Sequence, residues 1–193
     1  MTAERGATAM NLPNILTIVR MILVPVFAVA ALEKRILLAL GIFVVAGITD
    51  ALDGYIARRF HLKTRTGAIL DPLADKLLLI TAYLVLALYP AFPVWLTGVV
   101  IVRDMVMAAG IVWVYLQNRV LEVSPSLLGK ATTFVQLLTI TVFLLSHEIH
   151  MMDKALYPLY LATASVTVAS AIHYVYTGFR LVADNPPSLG NEG

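Results

Sequence analysis

Long apolar runs alternate with short polar breaks along this chain. The runs cover roughly 12–32, 36–57, 71–89, 94–116, 128–146 and 155–178. The breaks are Glu33-Lys34-Arg35, a basic stretch at 58–70, Tyr89-Pro90-Ala91-Phe92-Pro93, a polar loop at 117–127, and His147 to Lys154. Each run approaches or exceeds the roughly 20 residues a helix needs to cross a hydrocarbon core. None alternates apolar and polar positions as a half-buried strand does. A segment in lipid must satisfy its backbone internally, and these runs are too long for barrel strands. The pattern predicts an all-α integral membrane protein with six transmembrane helices.

Composition agrees. Of 193 residues, 60% are hydrophobic and 13% are charged; soluble domains carry about 25% charged residues. Such a chain is not disordered. The absence of cysteine excludes disulfide scaffolds, zinc–thiolate sites and thiol nucleophiles. A net charge of +2 gives no sign of a nucleic-acid partner. Residues 1–11 are expected to be a disordered cytoplasmic N-terminus, 12–180 a single six-helix domain, and 181–193 a cytoplasmic tail. Ala28-Val29-Ala30 resembles a signal-peptidase site, but Arg20 and Pro25 interrupt the run before it, so the first span is expected to be retained.

Lysine and arginine set the orientation. The break after the second run holds Arg58, Arg59, Lys63 and Arg65 without an acid, which places it in the cytoplasm. Six spans then put both termini there. Lys34 and Arg35, in an outer break, run against the rule. Tyr89, Phe92 and Trp95 are expected to form an interfacial belt, and His173 a contact between helices.

The acids are the unusual feature. Asp50, Asp53, Asp71, Asp75 and Asp104 lie inside or at the ends of apolar runs, where each costs about 2.5–3.5 kcal/mol at a bilayer centre. Asp50 and Asp53 share a helix face at the end of the second run, and Asp71 and Asp75 share one at the start of the third. A short loop joins these runs, so the two pairs are expected at similar depth. Four facing carboxylates need cations to stay ionised, and two divalent metals supply the charge. Oxygen ligands without His or Cys favour Mg²⁺, Mn²⁺ or Ca²⁺. Gly54 and Ala57 take bulk away from this face, and Arg58 adds a planar cation suited to phosphate. Together these describe a diphosphate site for phosphoryl transfer. Transport is the competing class. Transport acids sit near the midplane, often beside inverted repeats; here they gather at one interface and no repeat is visible, so an ion transporter is the remote alternative.

The stretch from Asp50 to Asp75 resembles the signature of the CDP-alcohol phosphatidyltransferases, D-x-x-D-G-x-x-A-R-x8-G-x-x-x-D-x-x-x-D. Asp50, Asp53, Gly54, Ala57, Arg58, Gly67, Asp71 and Asp75 fill its fixed positions. The resemblance implies two cations, Mg²⁺ or Mn²⁺, held by Asp50, Asp53, Asp71 and Asp75, with Asp75 also the general base. It implies a CDP-binding set of Asp50, Gly54, Ala57, Arg58, Gly67 and Asp71, with CDP-diacylglycerol as donor and CMP as product. It further implies a homodimer among membrane lipids, in a bacterial inner membrane, with the active site facing the cytoplasm.

For the acceptor, a small alcohol or a phospholipid, the opening Asn11-Leu-Pro-Asn-Ile-Leu-Thr-Ile-Val-Arg20 and Gly129-Lys130 look most like the phosphatidylglycerophosphate synthase branch. That makes glycerol 3-phosphate the leading acceptor, with Arg103, Lys130 and Arg119 as its candidate cations. The chain departs from that branch at Ala108-Ala109-Gly110-Ile111 and at Thr132, where further basic residues are usual. Arg103-Asp104-Met105-Val106-Met107 instead resembles the CMP-forming cardiolipin synthases, whose acceptor is phosphatidylglycerol. Arg103 and Asp104 have a second reading as a structural ion pair, Lys130 as a snorkelling anchor, and Lys76 as a neutralising partner for a carboxylate. His147, Glu148 and His150 read as a solvated loop.

Overall fold

A computed structural model describes residues 12–59, 67–116, 127–149 and 153–184. It is all helix: α1 (Leu12–Leu32), α2 (Ile36–Arg59), α3 (Gly67–Leu86), α4 (Val94–Leu116), α5 (Leu127–Ser146) and α6 (Asp153–Asp184). The last helix runs past position 180. Residues 1–11 and Arg119 lie outside the described residues.

Two compact units divide the chain. The first holds 1–89 and 140–152, the second 90–139 and 153–193. In the first, α1 packs on α2 and α3. The buried stripe of α1 is Thr17, Arg20, Val24, Phe27 and Ala31; that of α2 is Ile36, Ala39, Phe43 and Ala46. Both advance by alternating steps of three and four, as one face of a helix must. Alanines in both stripes let the backbones approach closely, the usual means of helix association in lipid. Phe27 and Phe43 meet midway, with ring centroids 5.7 Å apart. The two helices are joined by a tight cap. Lys34 adopts φ 60°, and the Arg35 N–H reaches back to the Ala30 carbonyl at 2.9 Å while the Lys34 N–H reaches Ala31 at 2.9 Å. That is a Schellman closure with lysine where glycine is usual.

The second unit is built on a polar seam. Thr139 and Thr163 share a hydrogen bond of 2.6 Å, and the Gln136 amide donates to Thr167 at 3.3 Å. Thr132 Oγ1 bonds the Leu128 carbonyl one turn back at 2.8 Å. These side chains are buried, and cross-helix or back-bonded hydroxyls are how membrane interiors accommodate them. Gly110 leaves room for the Tyr174 ring: a β-carbon there would lie 2.9 Å from Cε1.

The outward faces are apolar. On α1, Ile22 and Val29 are more than half exposed; on α2 so are Leu37 and Ile48. Among the described residues, Leu127–Ser146 and Lys154–Gly178 are long and apolar enough to cross a membrane, and Thr17–Leu32, Ile36–Asp50 and Lys76–Leu86 are shorter apolar stretches.

Two expectations are corrected. Phe92 is no belt residue: it is buried and packs edge-on against Tyr160, centroids 5.6 Å apart. Tyr89 likewise turns inward, donating to the Ala31 carbonyl and meeting Phe143 and His147 edge-on, whereas Trp95 is exposed. His173 stands exposed on α6, because among the described residues the buried stripe of α6 passes through Thr163, Thr167 and Ser170 instead.

Candidate active site

The motif falls at the end of α2 and the start of α3. Asp50 and Asp53 stand one turn apart on α2, and Asp71 and Asp75 one turn apart on α3. Asp50 continues the buried stripe of α2, four residues beyond Ala46. The side chains of Asp53, Gly54, Ala57, Arg58, Gly67, Asp71 and Asp75 lie outside the described residues, as do positions 60–66.

Asp50 is described in full. Its Oδ1 accepts a charge-assisted bond of 2.7 Å from Nη1 of Arg20, and the two side chains are 40% and 0% exposed respectively. In the sequence Arg20 stands out as an interruption of an apolar run and as the last residue of the opening stretch, with no role assigned to it. The missed signal was its phase: it occupies a core position between Thr17 and Val24, where a cation needs a fixed counter-charge. The antiparallel pairing also points to the partner. From the Phe27–Phe43 contact, seven residues back along α1 and seven forward along α2 lead to Arg20 and Asp50.

In the second unit Arg103 is buried and committed. Nη1 bonds Asp104 Oδ1 at 2.8 Å, and Nη2 reaches Ser170 Oγ at 3.3 Å. The pair's side chains are 5% and 8% exposed. This is the ion pair of the second sequence reading, and it ties α4 to α6. Lys130 is exposed at the start of α5. Lys76 has interaction partners of its own. His147 and Glu148 are exposed as expected, and among the described residues no cluster of three His, Cys, Asp or Glu side chains is placed to hold a metal; His150 and three of the motif aspartates fall outside that set.

An all-α chain with one aspartate pair at the end of a helix and another at the start of the next fits one class by its sequence as a whole. It belongs to the CDP-alcohol phosphatidyltransferase family, whose sequence model matches residues 10–176. It is 35% identical over 189 residues to the cardiolipin synthase (CMP-forming) of Rattus norvegicus, covering 89% of this chain and 63% of that one. It is 35% identical over 181 residues to the CDP-diacylglycerol–glycerol-3-phosphate 3-phosphatidyltransferase of Haemophilus influenzae, covering 91% and 97%. It is 33% identical over 179 residues to a probable phosphatidylglycerophosphate synthase of Mycobacterium tuberculosis, covering 90% and 80%. The chain thus spans only 63% of the length of the rat relative.

Proposed function

We propose that this chain is a phospholipid-synthesising transferase that moves a phosphatidyl group from CDP-diacylglycerol to an alcohol and releases CMP. The observation that carries this is the complete eight-residue motif, placed across the end of α2 and the start of α3 in a member of the family. The donor set is all carboxylate oxygen, which suits Mg²⁺ or Mn²⁺. Asp50, Asp53, Asp71 and Asp75 would hold two such ions. When bound, these ions neutralise the diphosphate and make the acceptor hydroxyl more acidic. Asp75 takes the proton from that hydroxyl, whose oxygen forms the new bond to the phosphatidyl phosphorus as the bond to the CMP oxygen breaks. Gly54 and Ala57 leave room for the nucleotide, while Arg58 pairs with its phosphates.

In this reading residues 12–180 act as one domain of six spans with both termini cytoplasmic, in a bacterial inner membrane, and the enzyme is a homodimer. The pairing of Arg35 with Glu33 at 2.9 Å offsets part of the outer charge that opposed this topology.

Glycerol 3-phosphate remains the first acceptor, since the Haemophilus relative matches almost end to end. One observation favours phosphatidylglycerol. The Arg103 charge is already balanced by Asp104, and a singly charged diester needs fewer cations than a dianion. The test is CMP release from CDP-diacylglycerol by purified protein with Mg²⁺ or Mn²⁺, each acceptor added separately. Release with one acceptor alone assigns it. No release with either, against an active control enzyme, refutes the proposal.

A further inference from the structure

We infer that Arg20 is the positioning residue of Asp50: its buried guanidinium holds one carboxylate oxygen so that the carboxylate is fixed in orientation for a divalent cation. This rests on the cation-binding role proposed for the motif aspartates.

Three observations support it. First, Arg20 occupies a core position. Its neighbours in the stripe are Thr17, Val24 and Phe27, all buried, and its own side chain is 0% exposed. Any apolar side chain of similar length would fill that position without the desolvation that a guanidinium incurs. Second, the pair is one-sided. Arg20 is enclosed while Asp50 keeps 40% of its side chain open, and the bond engages Oδ1 at 2.7 Å. The Arg103–Asp104 pair is instead closed on both sides, at 5% and 8%. A staple between helices needs no open carboxylate; a ligand held from behind does. Third, the anchor is packed into a helix interface. Arg20 sits on the α1 face that packs against α2, in the same register as the Phe27–Phe43 contact. Partners that orient a ligating carboxylate change metal affinity by about 10–100-fold when removed.

Charge and orientation pull in opposite directions, which makes the inference testable. Taking a cation away from a cluster of acids should tighten metal binding by electrostatics alone. Losing the orientation of Asp50 should weaken it. Mn²⁺ is titrated by EPR into the purified full chain with CMP present, for wild type, Arg20→Met and Arg20→Lys, and thermal midpoints are measured on the same samples. Arg20→Met is expected to bind Mn²⁺ about tenfold or more weakly, with a midpoint close to wild type. Arg20→Lys, which keeps the charge but not the planar fork, is expected to fall between. Unchanged or tighter Mn²⁺ binding in Arg20→Met overturns the inference and leaves a structural staple. Should Arg20→Met not fold, Arg20→Lys decides by the same criterion. Wild type that binds Mn²⁺ yet releases no CMP sinks the transferase proposal and leaves this comparison intact. Wild type that binds no Mn²⁺ sinks the cation-binding role, and this inference with it.

Discussion

Removing either partner of the Arg20–Asp50 pair breaks the same 2.7 Å bond, but the two losses should be unequal. Asp50→Ala deprives a guanidinium of this carboxylate in a position with no exposure to solvent. Breaking a fully buried pair in this way costs about 3–5 kcal/mol. Because Asp50 is 40% exposed, its attraction for Arg20 is partly screened, and Arg20 keeps a further interaction of its own, so about 2 kcal/mol is the better expectation. For a chain of 193 residues that lowers the thermal midpoint by about 4–8 °C. Arg20→Met removes the buried charge itself, fills the stripe with an apolar side chain, and leaves Asp50 partly in contact with solvent. Its effect should be within about 1 kcal/mol of zero. The assay is thermal unfolding of both variants and wild type in the same detergent, without added metal. If Arg20→Met destabilises as much as Asp50→Ala or more, the one-sided account of this pair is wrong.

Asp75→Asn should lower CMP release by at least about 100-fold while sparing much of the donor binding; near-wild-type turnover would remove Asp75 as the base. Lys34→Gly should raise stability by about 1 kcal/mol by relieving a left-handed lysine, seen as a midpoint a few degrees higher; no gain would mean that the Schellman closure carries little strain. Gly110→Ala should cost about 1 kcal/mol, because the new β-carbon would lie 2.9 Å from the Tyr174 ring; a neutral result would show that the ring moves aside freely. Burial holds the Tyr89 hydroxyl above its ordinary value of 10.0. The fold favours the neutral phenol, so this contribution is intact below the unfolded-chain pKa near 10 and is lost as pH rises through the raised folded value. A Tyr89→Phe variant should therefore lose stability less steeply above pH 10 than wild type, and parallel declines would exclude Tyr89 as the source.

The six helices were legible because each apolar run carries its own ending. Glu33-Lys34-Arg35 forms the α1–α2 cap, and the Tyr89 to Pro93 segment lies between the end of α3 at Leu86 and the start of α4 at Val94. The motif was legible for a different reason: its spacing is helical. The three-and-four steps of the α2 stripe, Ile36 to Ala46, continue through Asp50 to Asp53, so chemistry and packing share one phase. What escaped were relations across elements. Nothing local to Arg20 names Asp50, thirty residues on; only the pairing of two stripes does. Phe92 and Tyr89 were misread because aromatics in a break between spans suit an interface equally well. Their inward packing, with Phe92 buried and Tyr89 half-buried, depends on Tyr160, Phe143 and the Ala31 carbonyl, which arrive from other helices.

Arg20 and Arg103 show how far a buried arginine can be interpreted. Both interrupt apolar helices, both are enclosed, and both pair with an aspartate, at 2.7 Å and 2.8 Å. Residue type and distance therefore do not separate them. The openness of the carboxylate does. Asp104 is 8% exposed, so its pair with Arg103 is closed, and the bond that Arg103 donates to Ser170 makes the pair a tie between α4 and α6. Asp50 is 40% exposed, belongs to the motif, and retains a surface that another cation could use. The first arrangement resembles an ion pair kept for packing, one that apolar residues of similar volume could replace at little cost. The second has the form of a ligand with an orienting partner behind it. Replacing Arg103 and Asp104 together by leucine should accordingly spare Mn²⁺ binding even where it shifts the thermal midpoint, whereas Arg20→Met should do the reverse; the same response from both would dissolve the distinction.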